Sequence, residues 1–294
     1  MAKKLKVLVM SVGPFATNWT AKYLLKIGAP KNRVYVCLPK QFGEFAKTYN
    51  EHTEVYIYDE RKYINDEFEF FGFKPRNCGG VGRQGIAELT ELLDDKKSVL
   101  LELDDDTSSI NIRKSIDGKL KAKAIRTWGQ LEQLICAEDK FYEKTGIYCM
   151  ASTGATPPKS DGEFIANRKV FNNFIMRKDN YINYSGFKAL CSDDYRFNLY
   201  NGLLNNEPMV AHNYGSIIFH QSQGDRDDGN AVLYNGDCSW KKSYSLKMMA
   251  PWAVEQHISS ETNRILFREN LQPSRIFPPI CLADKNGEII GELK

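Results

Sequence analysis

Four short apolar runs in the first hundred residues constrain what this chain can fold into. Lys6–Val12 (KVLVMSV) reads as a buried strand that stops at Gly13-Pro14. Val34–Leu38 (VYVCL) is a second strand, closed by Pro39; Val55–Tyr58 (VYIY) is a third and Ser98–Leu103 (SVLLEL) a fourth. Between the first two, Thr17 or Asn18 caps a helix carrying Tyr23, Leu24 and Ile27, and Gly28-Ala29-Pro30 ends it. A further helix from about Arg83 sets Ile86, Leu89 and Leu93 on one face. Strands joined by helical connections of this length predict a mostly parallel sheet with helices on both faces.

Beyond Asp106 the pattern changes. Asn111–Thr127 is basic, with Arg113, Lys114, Lys119, Lys121, Lys123 and Arg126 against Asp117 alone. Glu132 to Thr145 reads as helical, and Gly146–Ala151, Asn173–Met176 and Ser216–Phe219 as strands. Ser152–Gly162 is rich in turn residues, and a helix opens after Ser192 through Tyr195, Leu199 and Leu203. Gln221–Asn230 reads as a polar, acidic loop and Leu271–Pro279 as an irregular, proline-bearing stretch. With no repeat, low-complexity tract or linker in sight, the 294 residues are expected to form one two-lobed domain. Its halves are expected at about 1–110 and 111–294.

Composition narrows the setting. Apolar residues at 42% and charged residues at 26% exclude disordered and fibrous classes. Forty basic against thirty-seven acidic side chains exclude a wholesale polybasic coat while leaving room for a local basic patch. No apolar run approaches the roughly 18–20 residues that span a bilayer, so no membrane partner is expected. Val7–Met10 is too short for the core of a signal peptide, and Gly13-Pro14 stands where a cleavage site would need small residues. Seven scattered cysteines without a CxxC pair imply reduced thiols in a cytoplasmic protein.

The sharpest chemical signal is Leu101-Glu102-Leu103-Asp104-Asp105-Asp106, an apolar strand that ends in three adjacent carboxylates. Ligands of open α/β sheets sit outside the carboxyl ends of strands. In an extended chain Asp104 and Asp106 would share a side, and two such carboxylates can hold a hard divalent cation that also binds phosphate oxygens. The competing reading is a solvated acidic turn. A second signal is Cys78-Gly79-Gly80-Val81-Gly82-Arg83-Gln84-Gly85, where glycines opening a helix free backbone N–H groups for a phosphate and Arg83 adds a charge. Gly80, Gly82 and Gly85 formally spell the dinucleotide GxGxxG. No strand precedes them directly, however, and a ribose needs one acid where three stand. Ser192-Asp193-Asp194 reads either as a helix cap or as a carboxylate poised to accept a hydroxyl proton. His220, after Ser216–Phe219, is a candidate metal ligand, with His212 its rival.

At these residues the chain resembles nucleotide-sugar-dependent glycosyltransferases of the GT-A type. The order of motifs over roughly residues 5–222 is similar to the TET-associated glycosyltransferases, which modify hydroxylated pyrimidines in DNA, often in phages. The resemblance implies a GT-A-like mixed, mostly parallel sheet flanked by helices, with a Rossmann-like N-terminal half and a fused acceptor-binding half. Asp104 and Asp106 then match the Asp-x-Asp pair that holds Mn²⁺ or Mg²⁺, with His220 the late ligand. Arg83 and Asp105 join the donor site, Asp194 is the catalytic base, and Ser11, Gly13 and Asp59 lie where the family often touches the nucleoside. Arg83-Gln84 departs from the family's common Arg-Asn pairing. The implied activity is transfer from a UDP-sugar to a hydroxyl on a modified pyrimidine in DNA, in the host cytoplasm if the protein is phage-encoded. The Asn111–Arg126 segment and Trp240–Tyr244 would grip the DNA. A protein or glycan acceptor and metal-dependent nucleotidyl transfer are the alternatives.

Overall fold

The computed structural model describes residues 4–63, 79–93, 98–117, 119–136, 147–152, 164–166, 173–177, 209–220, 244, 246–248, 251–252, 254–259, 266–271, 281–283 and 289–292. The four apolar runs become β1 (Leu5–Met10), β2 (Val34–Pro39), β3 (Glu54–Tyr58) and β4 (Val99–Leu103). They pair in parallel in the order β3-β2-β1-β4, so all four carboxyl ends open on one edge.

Each face of this parallel unit is covered. Val7 and Val9, Val34 and Val36, and Leu101 and Leu103 point into one core shared with α1 (Trp19–Lys26). The opposite side chains of the same strands, among them Met10 and Glu102, meet a helix spanning Gly79–Leu92. Burial on both faces is why these strands read as continuous apolar runs. Asn18 caps α1, its Oδ1 accepting the Ala21 N–H at 2.7 Å. Gly28 ends the helical segment with φ 76°, a left-handed conformation that suits a residue without Cβ. A single turn, α2 (Ala46–Tyr49), precedes β3; the Gly79–Leu92 helix is α3, and α4 (Trp128–Cys136) packs into the α1 core through Leu131 and Ile135.

The second half extends the sheet with mixed pairing. Its strands are β5 (Thr107–Ile116), β6 (Lys119–Ala124), β7 (Ile147–Ser152), β8 (Phe164–Ala166), β9 (Asn173–Arg177) and β10 (Met209–Phe219). Farther along come β11 (Val254–Ser259), β12 (Leu266–Leu271), β13 (Cys281–Ala283) and β14 (Ile289–Glu292). The main sheet runs β14-β13-β8-β10-β7-β9-β4-β1-β2-β3, with the β5–β6 hairpin branching from β10; β11 and β12 pair separately. Beyond β4 only the β7–β10 pairing is parallel among the described residues. The architecture is therefore mixed α/β, parallel in its N-terminal half. Among the described residues no helix is long and apolar enough to cross a membrane.

Two local expectations change, and a third segment gains a definite structure. The helix expected from about Arg83 is already formed at Gly79, so the three glycines of the GxGxxG pattern are helical. Gly82 and Gly85 serve close packing: a Cβ on Gly82 would lie 2.9 Å from Met10 Sδ, and one on Gly85 2.4 Å from the Tyr58 ring. Asp104–Asp106 does not stay extended but turns between β4 and β5, which removes the premise that alternation pairs Asp104 with Asp106. The basic segment is an antiparallel hairpin in which Ile116 faces Lys119 across Asp117-Gly118, with Asp117 at φ 55°.

The glycine seat gives a test with an internal control. Gly85→Ala should lower the denaturant midpoint, because forcing a methyl into the Tyr58 ring costs about 1–3 kcal/mol and outweighs the gain in helix propensity. Gly129→Ala in α4, where a Cβ meets nothing within 4 Å, should raise stability by about 0.4–1 kcal/mol.

Candidate active site

The candidate site is the turn Asp104-Asp105-Asp106 at the shared carboxyl edge. Register builds its first wall. Val9 lies beside Leu103, so Ser11 and Asp105 leave the sheet together, with Ser11 Oγ donating to Asp105 Oδ2 at 3.4 Å. Ser11 is buried, and the Tyr49 hydroxyl lies 3.1 Å from its Oγ, donates to the Gly13 carbonyl at 2.8 Å and accepts from Asn18 Nδ2 at 3.2 Å. Tyr49 thereby ties the loop after β1 to the cap of α1. Burial pushes the Tyr49 phenol above its ordinary range, and the Asp105 charge adds to this against the hydrogen bonds from Ser11 and Asn18.

The first turn of α1 forms the floor. Thr20, fully buried, donates its hydroxyl to the Asp104 carbonyl and accepts the Thr107 N–H at 2.9 Å. Its own N–H donates to the Asp105 carbonyl at 3.2 Å. A helix N-terminus leaves N–H groups without intrahelical partners, and the acid turn takes up one of them. The carbonyls are held by Thr20, so the Asp backbone is fixed independently of what the carboxylates do.

The second half closes the site through strand register. β10 runs antiparallel to β5 with Phe219 opposite Thr107. The next residues out are His220 and Asp106, and the His220 N–H donates to the Asp106 carbonyl at 2.7 Å. The His220 ring stacks on Trp19 at 3.9 Å between centroids, while Lys22 Nζ lies 4.1 Å from the Trp19 centroid. Face stacking orients the imidazole without engaging its ring nitrogens. His212 lies within β10, opposite Met150 and Phe164, at a backbone position away from the acid turn.

Beneath the turn, Arg83 of α3 is 2% exposed. It forms an ion pair with Glu102 Oε1, and its Nη2 lies 3.5 Å from Asp104 Oδ1. Its guanidinium stands 4.5 Å from the centre of the Phe174 ring, and Phe174 is the β9 partner of Glu102. Asp59, at the end of β3, is engaged with Arg61 through two hydrogen bonds of 2.8 and 2.7 Å. The Arg61 hydrogen bonds hold its carboxyl well below the usual carboxylate range.

The structure therefore brings Ser11, Gly13, Arg83, Asp104, Asp105, Asp106 and the His220 backbone together, and leaves Asp59 with Arg61. Asp193 and Asp194 lie outside the described residues, as do Trp240–Ser243. Thr20, Tyr49, Trp19 and Glu102 escaped the sequence reading; of these only Glu102, an acid inside an apolar strand, was conspicuous in sequence. Among the described residues no three His, Cys, Asp or Glu side chains converge as a ready-made metal cage. The donor set instead suits a hard cation such as Mg²⁺, which is commonly bound by one or two carboxylates together with substrate phosphates and water.

No family model matches the sequence, and no curated protein is similar to it. Among solved structures the chain is similar to mannose-1-phosphate geranyltransferase from Thermus thermophilus, with 10% identity, TM-score 0.36 and coverage of 74% of this chain and 76% of that one. It is similar also to 4-diphosphocytidyl-2C-methyl-D-erythritolsynthase from Anaerococcus prevotii, at 11% identity and TM-score 0.39, covering 83% and 96%. Mouse xyloside xylosyltransferase 1, in its apo form, shares 10% identity at TM-score 0.35 over 67% and 75%. At such scores the functional reading rests on the site itself.

The Thr20 clasp is testable without a ligand. Thr20→Val keeps shape but strands the Asp104 carbonyl and the Thr107 N–H, each worth about 1–3 kcal/mol when buried and unsatisfied. Stability should fall accordingly, and the Thr107 amide should exchange with solvent faster than its neighbours in β5.

Proposed function

We propose that this protein is a metal-dependent glycosyltransferase of GT-A type that moves a sugar from a UDP-sugar to a hydroxyl group. The observation that carries this reading is the backbone-clasped turn of three carboxylates at the carboxyl edge of a parallel sheet, with Ser11 on one side and His220 on the other. Asp104 and Asp106, with His220, would hold Mn²⁺ or Mg²⁺, which supplies neutralisation of the charge that grows on a departing diphosphate. Ser11, Gly13 and Asp105 form the wall facing the donor, and Asp59 serves it only by exchanging Arg61 for the nucleoside.

Asp194 is the proposed general base. The acceptor oxygen attacks the anomeric carbon, the bond from that carbon to the diphosphate oxygen breaks, and UDP leaves with the electron pair. The acceptor proton passes to the Asp194 carboxylate. For the acceptor, the reading is a hydroxylated or hydroxymethylated pyrimidine in DNA, turned out of the stack to reach the edge. The hairpin supports it: Lys119, Lys121 and Lys123 alternate along β6 and share one face with Lys114, which lies directly opposite Lys121. All four are exposed. Like charges directly opposite each other are unfavourable in a sheet, and a polyanion relieves them. The reading places the protein in a reducing cytoplasm, with Cys37, Cys136 and Cys149 as free thiols.

The decisive experiment incubates the protein with UDP-sugars, Mn²⁺ and hydroxymethylated or unmodified DNA, with products read by nucleoside mass spectrometry. A sugar-sized mass gain on the modified nucleoside supports the reading. Gain on a protein or glycan substitutes the acceptor, and release of pyrophosphate from a nucleoside triphosphate identifies nucleotidyl transfer. Chelation should abolish transfer and Mn²⁺ or Mg²⁺ restore it. Asp104→Asn and Asp106→Asn should each lose orders of magnitude while remaining folded, because a ligand charge is removed without a change in volume.

DNA binding should weaken steeply with salt. Replacing Lys119, Lys121 and Lys123 together by Gln should flatten the log–log salt dependence by up to about 2.7, at about 0.9 per duplex phosphate contact. UDP affinity should not change. An unchanged slope assigns these lysines to the solvated edge of the sheet.

A further inference from the structure

Arg83 is the one cation held inside the fold against the acid turn, among the described residues, and its surroundings exclude the role that a basic residue in a glycine-rich segment would suggest. A guanidinium that grips a substrate phosphate must present donors to the cleft. Arg83 is 2% exposed and lies between α3 and the sheet. Nη1 pairs with Glu102 Oε1, Nη2 lies 3.5 Å from Asp104 Oδ1, and the Phe174 ring stands 4.5 Å from the guanidinium carbon. For a phosphate to reach it, α3 would have to lift from β1 and β3, where Gly82 and Gly85 seat it against Met10 and Tyr58.

We infer that Arg83 is a positioning residue: it orients Asp104 from inside the protein and does not touch substrate. Gly82 and Gly85 set how deep the helix lies, and at this depth one guanidinium reaches both Glu102 in β4 and Asp104 just beyond its end. Glu102 anchors the fork, since it is 1% exposed and cannot swing toward the site. Asp104, its side chain 30% exposed, is the movable member. The segment that looks like a phosphate cradle in sequence is in this sense a mount for the acid turn. The ligand arm of the following test rests on the nucleotide-sugar reading; the stability arm does not.

The test uses a Glu102→Gln background, in which the amide oxygen can still accept from Arg83 and removing Arg83 leaves no buried carboxylate at position 102. Arg83→Met, Asp104→Asn and the pair are compared in that background. Denaturant unfolding should give a coupling between positions 83 and 104 of at least about twofold in the unfolding equilibrium, within the range for residues in contact. UDP affinity by calorimetry in chelator should stay within about twofold when Arg83 is removed, whereas loss of a direct charged contact would weaken it about tenfold or more. In turnover, Arg83→Met should lower kcat with KM for the UDP-sugar unchanged, and adding Asp104→Asn should lower kcat no further than Asp104→Asn does alone. Arg83→Lys in the native background should fall between, retaining the charge but not the fork, and it carries the same readings if the Gln/Met variant does not fold. Zero coupling, or a tenfold loss of UDP affinity in chelator, overturns the inference. If the unaltered protein binds no UDP and transfers no sugar, the nucleotide-sugar reading falls, and the unfolding cycle alone decides the role of Arg83.

Discussion

A carboxylate in the middle of a buried sheet must be answered, and much of this molecule is arranged around that answer. Glu102 sits in β4 with parallel β1 on one side and antiparallel β9 on the other, out of reach of water. Removing either partner of such a pair is strongly destabilising, although the pair itself adds little net stability over apolar packing. What it contributes here is placement. The face of β4 that carries Glu102 is covered by α3, which delivers the Arg83 guanidinium there. Gly82 and Gly85 make that approach possible, and helix, sheet and acid turn are therefore fixed relative to one another by a polar contact within a largely apolar layer.

On the other face the link between packing and site runs through backbone. α1 docks on the sheet by Tyr23, Leu24 and Ile27, and its first turn meets the carbonyls of Asp104 and Asp105 through Thr20. β5 then leaves the turn and β10 returns to it, so that His220 arrives beside Asp106 by strand register. The carboxylates are thus carried on a peptide held by three separate elements. Such a site has little reorganisation left to do when charge develops nearby, which is the condition under which electrostatic stabilisation is strongest.

The legibility of the chain follows from the same physics. Parallel strands covered on both faces are continuous apolar runs, so β1 to β4 were visible, as was the Asn18 cap before an amphipathic stretch. The acid turn was visible because nothing apolar can follow a buried strand with three aspartates. Glycine is equally the residue of phosphate loops and of close helix packing, and the packing of Gly82 on Met10 and of Gly85 on Tyr58 shows only in three dimensions. The basic composition of Asn111–Thr127 does not by itself give a hairpin, although Asp117-Gly118 between β-compatible stretches is a strong two-residue turn signal; lysines obscure the alternation. Thr20 and Tyr49 could not be found, since their importance lies in partners 31 to 87 residues distant in sequence, such as Thr107 from Thr20 and Asn18 and Gly13 from Tyr49.

The buried pair also marks one thiol. Cys37 lies in β2 on the face that carries Glu102, wholly out of solvent, and burial together with the Glu102 charge pushes its ionisation far above the usual thiol range. Thiolate is the reactive form, so in the folded protein this sulfur is closed to oxidants, alkylating reagents and soft metals. Its chemistry returns only when α3 lifts from that face or the central strands part. Cys37 is in effect a clock built into the sheet: the rate at which a small thiol reagent marks this residue, read apart from the partly exposed Cys136, counts the openings of the layer between α3 and the sheet.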